Sequence, residues 1–289
     1  MTLTLFVGAI INMLFLASMY ILIALGFALL FSIMELLHVA HGVIYMLGGY
    51  LCYSLSVTLG MNQWLSLVLT VGIICCFGPV LERFFFRPFF RDFDRTLLVG
   101  IGISTIIETT MALSKSNEAQ SLRAFATGIL KMGPISVSNE RLVTFLIGAL
   151  LLLAVMWLIH RTKVGLQMQA VGQDLEASLL QGINIYRISA LACVIACGLA
   201  AVAGSLLGAY MGLGPFMGDF VFQKALVLVV LGGIGSIGGI FVAGLVVGGI
   251  DAFLPLFISG SATSALAIGI IIVVLLLRPK GFFGREMGF

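Results

Sequence analysis

The chain has 289 residues, of which 61% are hydrophobic and only 9% charged, with a formal net charge of +3 and a mean hydropathy of +1.21. A soluble domain carries roughly a quarter charged residues, so the polar surface is too small to cover a water-exposed globule. The basic residues are few and scattered, which leaves no nucleic-acid footprint.

Only helices or closed barrels satisfy the backbone inside lipid. The apolar runs are too long and continuous for barrel strands of about ten alternating residues. The expected fold class is therefore all-α: a polytopic membrane bundle of eight or nine spans, at least one of them broken or short, in one membrane domain over residues 1–289. The first span, Gly8–Ile33, holds no Asp, Glu, Lys, Arg or His and exceeds the about 20 residues that a crossing needs. It lacks a preceding basic region and is too long for a cleaved leader, so it is read as retained.

A break follows at Glu35-Leu-Leu-His38-Val-Ala-His41-Gly42. Its histidines read either as interfacial hydrogen-bonding groups at a turn or as neighbours of a solute path. The Glu/His spacing is not the His-Glu-x-x-His pattern of a helical zinc site, and no metal site is assigned. The next spans are Val43–Leu59 and Trp64–Leu81, the latter opening on an interfacial aromatic. Arg83, Arg87, Arg91 and Arg95 recur every four residues, as on an interfacial helix facing anionic lipid or a cytoplasmic partner, or as a simple orientation signal. Thr96–Leu113 is the fourth span. Ser114–Glu140 is the one sizeable external loop, with room for a short surface helix.

The fifth span, Arg141–Ile159, leads into the largest internal loop, about 160–187. There Asp174 is placed to cap a short helix and Gly182 to end it, with Leu175, Ser178 and Leu179 sharing a face. Such a helix either inserts into a partner's groove or lies on the membrane. The remaining spans are Ile188–Met211, Phe222–Gly233, Ile240–Phe257 and Thr263–Leu277. The seventh is short for a crossing and reads as a half-helix. Between it and the eighth, Gly233-Ile-Gly235-Ser236-Ile-Gly238 has the spacing of a dinucleotide fingerprint but not its strand or its acid about 20 residues on. It reads instead as a helix break whose amides face a polar solute.

Gly204, Gly208 and Gly212, and Gly244 and Gly248, have the spacing of closely approaching helices. That approach is either within one subunit or across a dimer. Glu108 and Asp251 are intramembrane carboxylates, each expected to face the bundle interior. Asp219 and Lys224 are read as flanking the outer end of the seventh segment. The five cysteines all lie in apolar runs and read as packing residues. Ten of the fifteen basic residues fall on one side of a nine-span arrangement, which predicts a cytoplasmic carboxyl terminus.

The internal loop carries Gly165, Ala170, Gln173-Asp174, Glu176-Ala177 and Gly182-Ile183, a pattern that resembles the coupling loop of ABC-importer permeases. Phe27–Gly49, Leu231–Gly239 (LGGIGSIGG) and Arg278–Gly284 (RPKGFFG) are similar to the early, glycine-rich and tail blocks of the branched-chain amino acid permease family. His38-Val39 stands where that family usually has Asn-Phe, and Gly238 near a common Pro.

The resemblance implies a bacterial inner-membrane permease subunit, not itself an enzyme, that imports branched-chain or other small amino acids. Its implied partners are a second identical or homologous permease, two cytoplasmic ATPases that bind ATP and magnesium, and an external solute-binding protein. It also implies coupling through Gly165, Ala170, Asp174, Glu176, Ala177 and Gly182. The solute path is expected near Glu35, His38, His41, Gly42, Gly233, Gly235 and Ser236. The chain contains no Gly-x4-Gly-Lys-Ser/Thr phosphate loop, so no cofactor is assigned to it. The competing expectations are a urea or amide permease, an ion-coupled carrier or channel using Glu108 or Asp251, and an intramembrane enzyme using Glu35, His38 and His41.

Overall fold

The computed structural model describes residues 3–34, 38–90, 92–115, 120–132, 135–233 and 235–258, with 266, 269–270, 272–274, 276, 278 and 281–283. At its centre runs α1 (Leu3–Met34). Its sequence is apolar on every side, and a helix hydrophobic all round belongs in an interior. In its most apolar stretch 89% of residues are buried, and Phe15, Tyr20, Leu22 and Phe27 are sealed from the surface.

After it come α2 (His41–Tyr53), prolonged by a wide turn at Ser54–Thr58, α3 (Gln63–Leu81), α4 (Phe93–Lys115) and α5 (Asn139–Arg161). Next come α6 (Lys163–Gln173) and α7 (Leu175–Leu180), followed by α8 (Ile185–Met211), α9 (Met217–Gly232) and α10 (Ile237–Phe253). Of these α5 packs on α1, whereas α2 and α3 pack on α8. Six helices among the described residues are long and apolar enough to cross a membrane, contributed by α1, α3, α4, α5, α8 and α10. The run through α2 is shorter, and α9 has 16 residues. The expected ninth span, Thr263–Leu277, lies largely outside the described residues.

Small residues set the closest helix approaches. A Cβ on Gly204 of α8 would strike the Tyr45 carbonyl of α2, and one on Gly48 would lie 2.6 Å from the Ala201 backbone. On α10, Gly244 and Gly248 lie against Ile21 and Ala17 of α1. Gly204 and the α10 pair therefore pack helices within the subunit, whereas Gly208 lies against the Leu213 side chain and Gly212 ends α8 at φ +85°. On the perimeter, Val68, Ile73, Leu98, Ile106, Leu146, Leu150, Leu153 and Trp157 are exposed, as suits a lipid-facing belt.

Several expectations need correcting. The loop between α4 and α5, expected to be external, holds no surface helix among its described residues. It carries an antiparallel hairpin, β1 (Ile129–Met132) with β2 (Ile135–Ser138), and Gln120 pairs through its backbone with Leu213 beyond α8. The four-residue arginine series does not form one helical face. α3 winds on to Phe89 through Glu82–Phe86 and Arg87–Phe89, where Arg87 turns back onto buried Glu82. Arg95 instead opens α4 and pairs with Asp92, and Arg91 lies outside the described residues. All five cysteines are free thiols as expected, but Cys76, read as a packing residue, is exposed.

Candidate functional site

The loop between α5 and α8 is a folded knob. Thr162 begins it by accepting the Gly165 amide at 3.1 Å while its hydroxyl donates to the Leu158 carbonyl. Only glycine fits at 165, where a Cβ would meet the Leu158 and Ile159 carbonyls, and this lets α6 fold straight back from α5. Gly172 brings α6 against the Ser32 carbonyl at the end of α1. Asp174 then caps α7, its Oδ1 accepting the Ala177 amide at 2.9 Å. Gly182 ends the helix at φ +78°, with the Ile183 amide donating to the Ser178 carbonyl, an arrangement that satisfies the last carbonyls.

Ser178 and Leu179 do not share a face. Ser178 turns inward and donates to the Asp174 carbonyl, whereas Leu179 is 55% and Leu180 is 90% exposed. Glu176 is also exposed, and Ala170 and Ala177 are half-buried. The knob thus offers an apolar tip beside a carboxylate, on a pedestal formed by α5, α6 and α8.

Of the first group of pathway candidates, Glu35 lies outside the described residues. His38 is fully buried, its ring 4.4 Å from that of Phe86. His41 opens α2 and is buried too. Its Nε2 sits 3.2 Å from the Ile23 carbonyl, and a carbonyl only accepts, so Nε2 carries the proton. Gly26 leaves room for this ring, and Gly42 lies directly against Gly218 of α9. Nearby, Glu82 takes a two-point contact from Arg87 at 2.7 and 3.1 Å and a bond from Ser189. Arg87 also stacks over Tyr186 at 4.8 Å, fastening α3 to the start of α8.

Of the second group, Gly233 and Gly235 adopt φ +95° and +80°, and Ser236 caps α10 by accepting the Gly239 amide at 3.1 Å. The carbonyl end of α9 is taken by the chain's own tail: Phe282 and Phe283 donate to Leu231 and Gly232 at 2.8 and 3.1 Å. The two chain breaks therefore meet the two ends of one short helix. α9 starts on Gly42 and finishes with Gly232 pressed on Gly239.

Sequence reading missed a third feature. Lys224 does not flank the end of its helix; it sits inside α9 and reaches across to Asp251 of α10. Its ammonium lies 2.9 and 2.7 Å from the two carboxylate oxygens, and the Tyr20 hydroxyl donates to Oδ2 at 2.9 Å. Asp251 is an intramembrane carboxylate held by a neighbouring helix, one of the two roles considered for it. Glu108 of α4 is buried, with its carboxyl beside that of Asp219 at the start of α9. Helical spacing from Lys224 to Asp251 gives no cue to this pairing, because the two residues lie on different helices. The cue available in the sequence was one cation and one anion in adjacent apolar segments.

The sequence matches the family described as "Branched-chain amino acid transport system / permease component" over residues 9–276. It is 31% identical to the high-affinity branched-chain amino acid transport system permease protein LivH of Escherichia coli K12, covering 97% of this chain and 96% of that protein. It is 32% identical to BraD of Pseudomonas aeruginosa, a permease protein of the same description, covering 96% and 95%. It is also 29% identical to the fructose import permease protein FruF of Bifidobacterium longum, covering 94% and 78%. Among solved structures, PsaBC from Streptococcus pneumoniae in complex with Fab shares the fold, with a TM-score of 0.52 at 13% identity over 93% of this chain and 91% of that one.

Proposed function

The chain belongs to the branched-chain amino acid permease family, and from that premise we propose that it is the membrane-spanning permease subunit of an ATP-driven importer of branched-chain or other small amino acids. The bundle moves solute by alternating access. ATP and magnesium bind to two partner ATPases and not to this chain, a second permease completes the conduit, and an external binding protein delivers the solute.

The observation that carries the coupling part of this reading is the α6–α7 knob. Leu180 stands almost entirely in the open at the tip of a helix fixed at both ends by Asp174 and Gly182. An apolar tip of that kind is suited to a groove on a partner. A rigid pedestal would carry displacement of the knob into α1, through Gly172, and into α8.

The fructose permease relative keeps a sugar as the second solute class. The ion-coupled alternative has less to work with than the sequence suggested. Asp251 is already neutralised by Lys224, so of the two carboxylates considered for that role only Glu108 is left.

Copurification from native membranes tests the assignment. ATPase subunits and a second permease should accompany the chain. The complex should hydrolyse ATP faster when its binding protein is loaded with leucine, and fructose serves as the comparison solute. Solute movement by the purified chain alone, without nucleotide, would refute the importer reading.

A further inference from the structure

Tyr20 lies near the midpoint of α1, about 26 Å along a helix about 48 Å long. Its hydroxyl meets the Lys224–Asp251 pair, so the pair sits at hydrocarbon depth in a core about 30 Å thick. The pair is not sealed: 15% of the Lys224 side chain and 17% of that of Asp251 remain accessible. On the same helix, Asp219, Phe220 and Gln223 are exposed. Polar groups at this depth are costly against lipid and belong beside a water-filled cavity or within the bundle. This face of α9 is therefore one that water or another protein surface must cover, not lipid.

We propose that the Lys224–Asp251 pair is a solute-contact site on the translocation path, where it meets the α-carboxylate and α-ammonium of the transported amino acid while Phe220 receives its apolar side chain. The proposal rests on the amino-acid importer reading above. The bonding capacity fits. An ammonium has three donors, and Lys224 spends two on Asp251, leaving one for a carboxylate. Asp251 Oδ1 accepts one bond in the pair and keeps a free lone pair for an ammonium, while Tyr20 holds Oδ2. The Phe220 ring is 45% exposed, and its centroid is 5.5 Å from the Lys224 ammonium. A fixed dipole with an apolar ring beside it matches a small zwitterion with an aliphatic side chain. Because the two charges already compensate each other, they hold that zwitterion only loosely, as a passage site must.

The test uses the complete transporter in proteoliposomes with its binding protein and ATP. The double variant Lys224→Gln/Asp251→Asn keeps a hydrogen-bonded pair without charge, and leucine uptake should fall about tenfold or more. Wild-type uptake in that variant overturns the proposal. A second measurement separates misfolding from loss of the site: Gln223→Cys in a chain whose five native cysteines are replaced by alanine. A charged, water-borne thiol reagent should modify the introduced thiol. Excess leucine should slow that modification, whereas the uncharged N-acetylleucine amide should not. No modification, or equal rates with and without leucine, overturns the proposal. A wild-type transporter that takes up no amino acid would instead defeat the importer reading itself.

Discussion

Asp174 and Gly182 do different work on the same six-residue helix. Asp174 satisfies an amide that would otherwise be orphaned at the start of α7. Gly182 adopts a left-handed conformation at its end. Asp174→Ala should cost about 1 kcal/mol of local helix stability, and Gly182→Ala roughly 1–2 kcal/mol. Both residues are exposed and lie outside the helices long and apolar enough to cross a membrane, so both variants should insert and assemble. The expected result is ATP hydrolysis that persists with fewer leucine molecules moved per ATP, measured in proteoliposomes. An unchanged ratio in both variants would remove the knob from the coupling route. These two roles were readable beforehand because capping is local: the cap, the helix and the stop lie within nine residues of sequence. The inward turn of Ser178 was not readable. It depends on where α7 sits against α8, which spacing along α7 does not encode.

At the scale of elements, α9 is the connector. Its 16 residues link the two chain breaks, with Gly218 on Gly42 at one end and Gly232 on Gly239 at the other. The shortness of this segment was visible in the sequence. Its partners were not, because they are set by tertiary contacts between glycines far apart in the chain. The same is true of the tail. Its basic and aromatic residues identified it as an end block, but nothing in them announced that Phe282 and Phe283 would take the last carbonyls of α9.

The backbone contact at Gly42 leaves no room for a methyl group, which would collide with the Gly218 carbonyl. Gly42→Ala must therefore push α9 off α2, and overpacking of this kind typically costs about 1–3 kcal/mol. The variant should melt at a lower temperature in detergent and transport more slowly. Gly102→Ala is the matched control. A Cβ there meets nothing within 4 Å, and alanine is the better helix former, so its melting temperature should be equal or higher. Equal melting of the two variants would mean that the α2–α9 junction tolerates separation.

For the whole molecule, the decisive question is which end faces the cytoplasm. α8 has 27 residues and so spans about 40 Å. The α6–α7 knob precedes its first turn, and Leu213, just beyond its last, pairs with Gln120 of the loop that carries the hairpin. Knob and loop attachment are therefore at opposite ends of the bundle. Arg161, Lys163 and Arg187 cluster at the knob end, and positive residues are retained on the cytoplasmic side. A partner that binds ATP is confined to that compartment, so charge and proposed coupling make the same demand. A phosphatase that folds only outside the cytoplasm should be active when fused after Ser136 and inactive when fused after Gln181. Activity after Gln181 would put the knob on the wrong side of the membrane for any nucleotide-driven partner, and the α6–α7 surface would then have to serve an external protein instead.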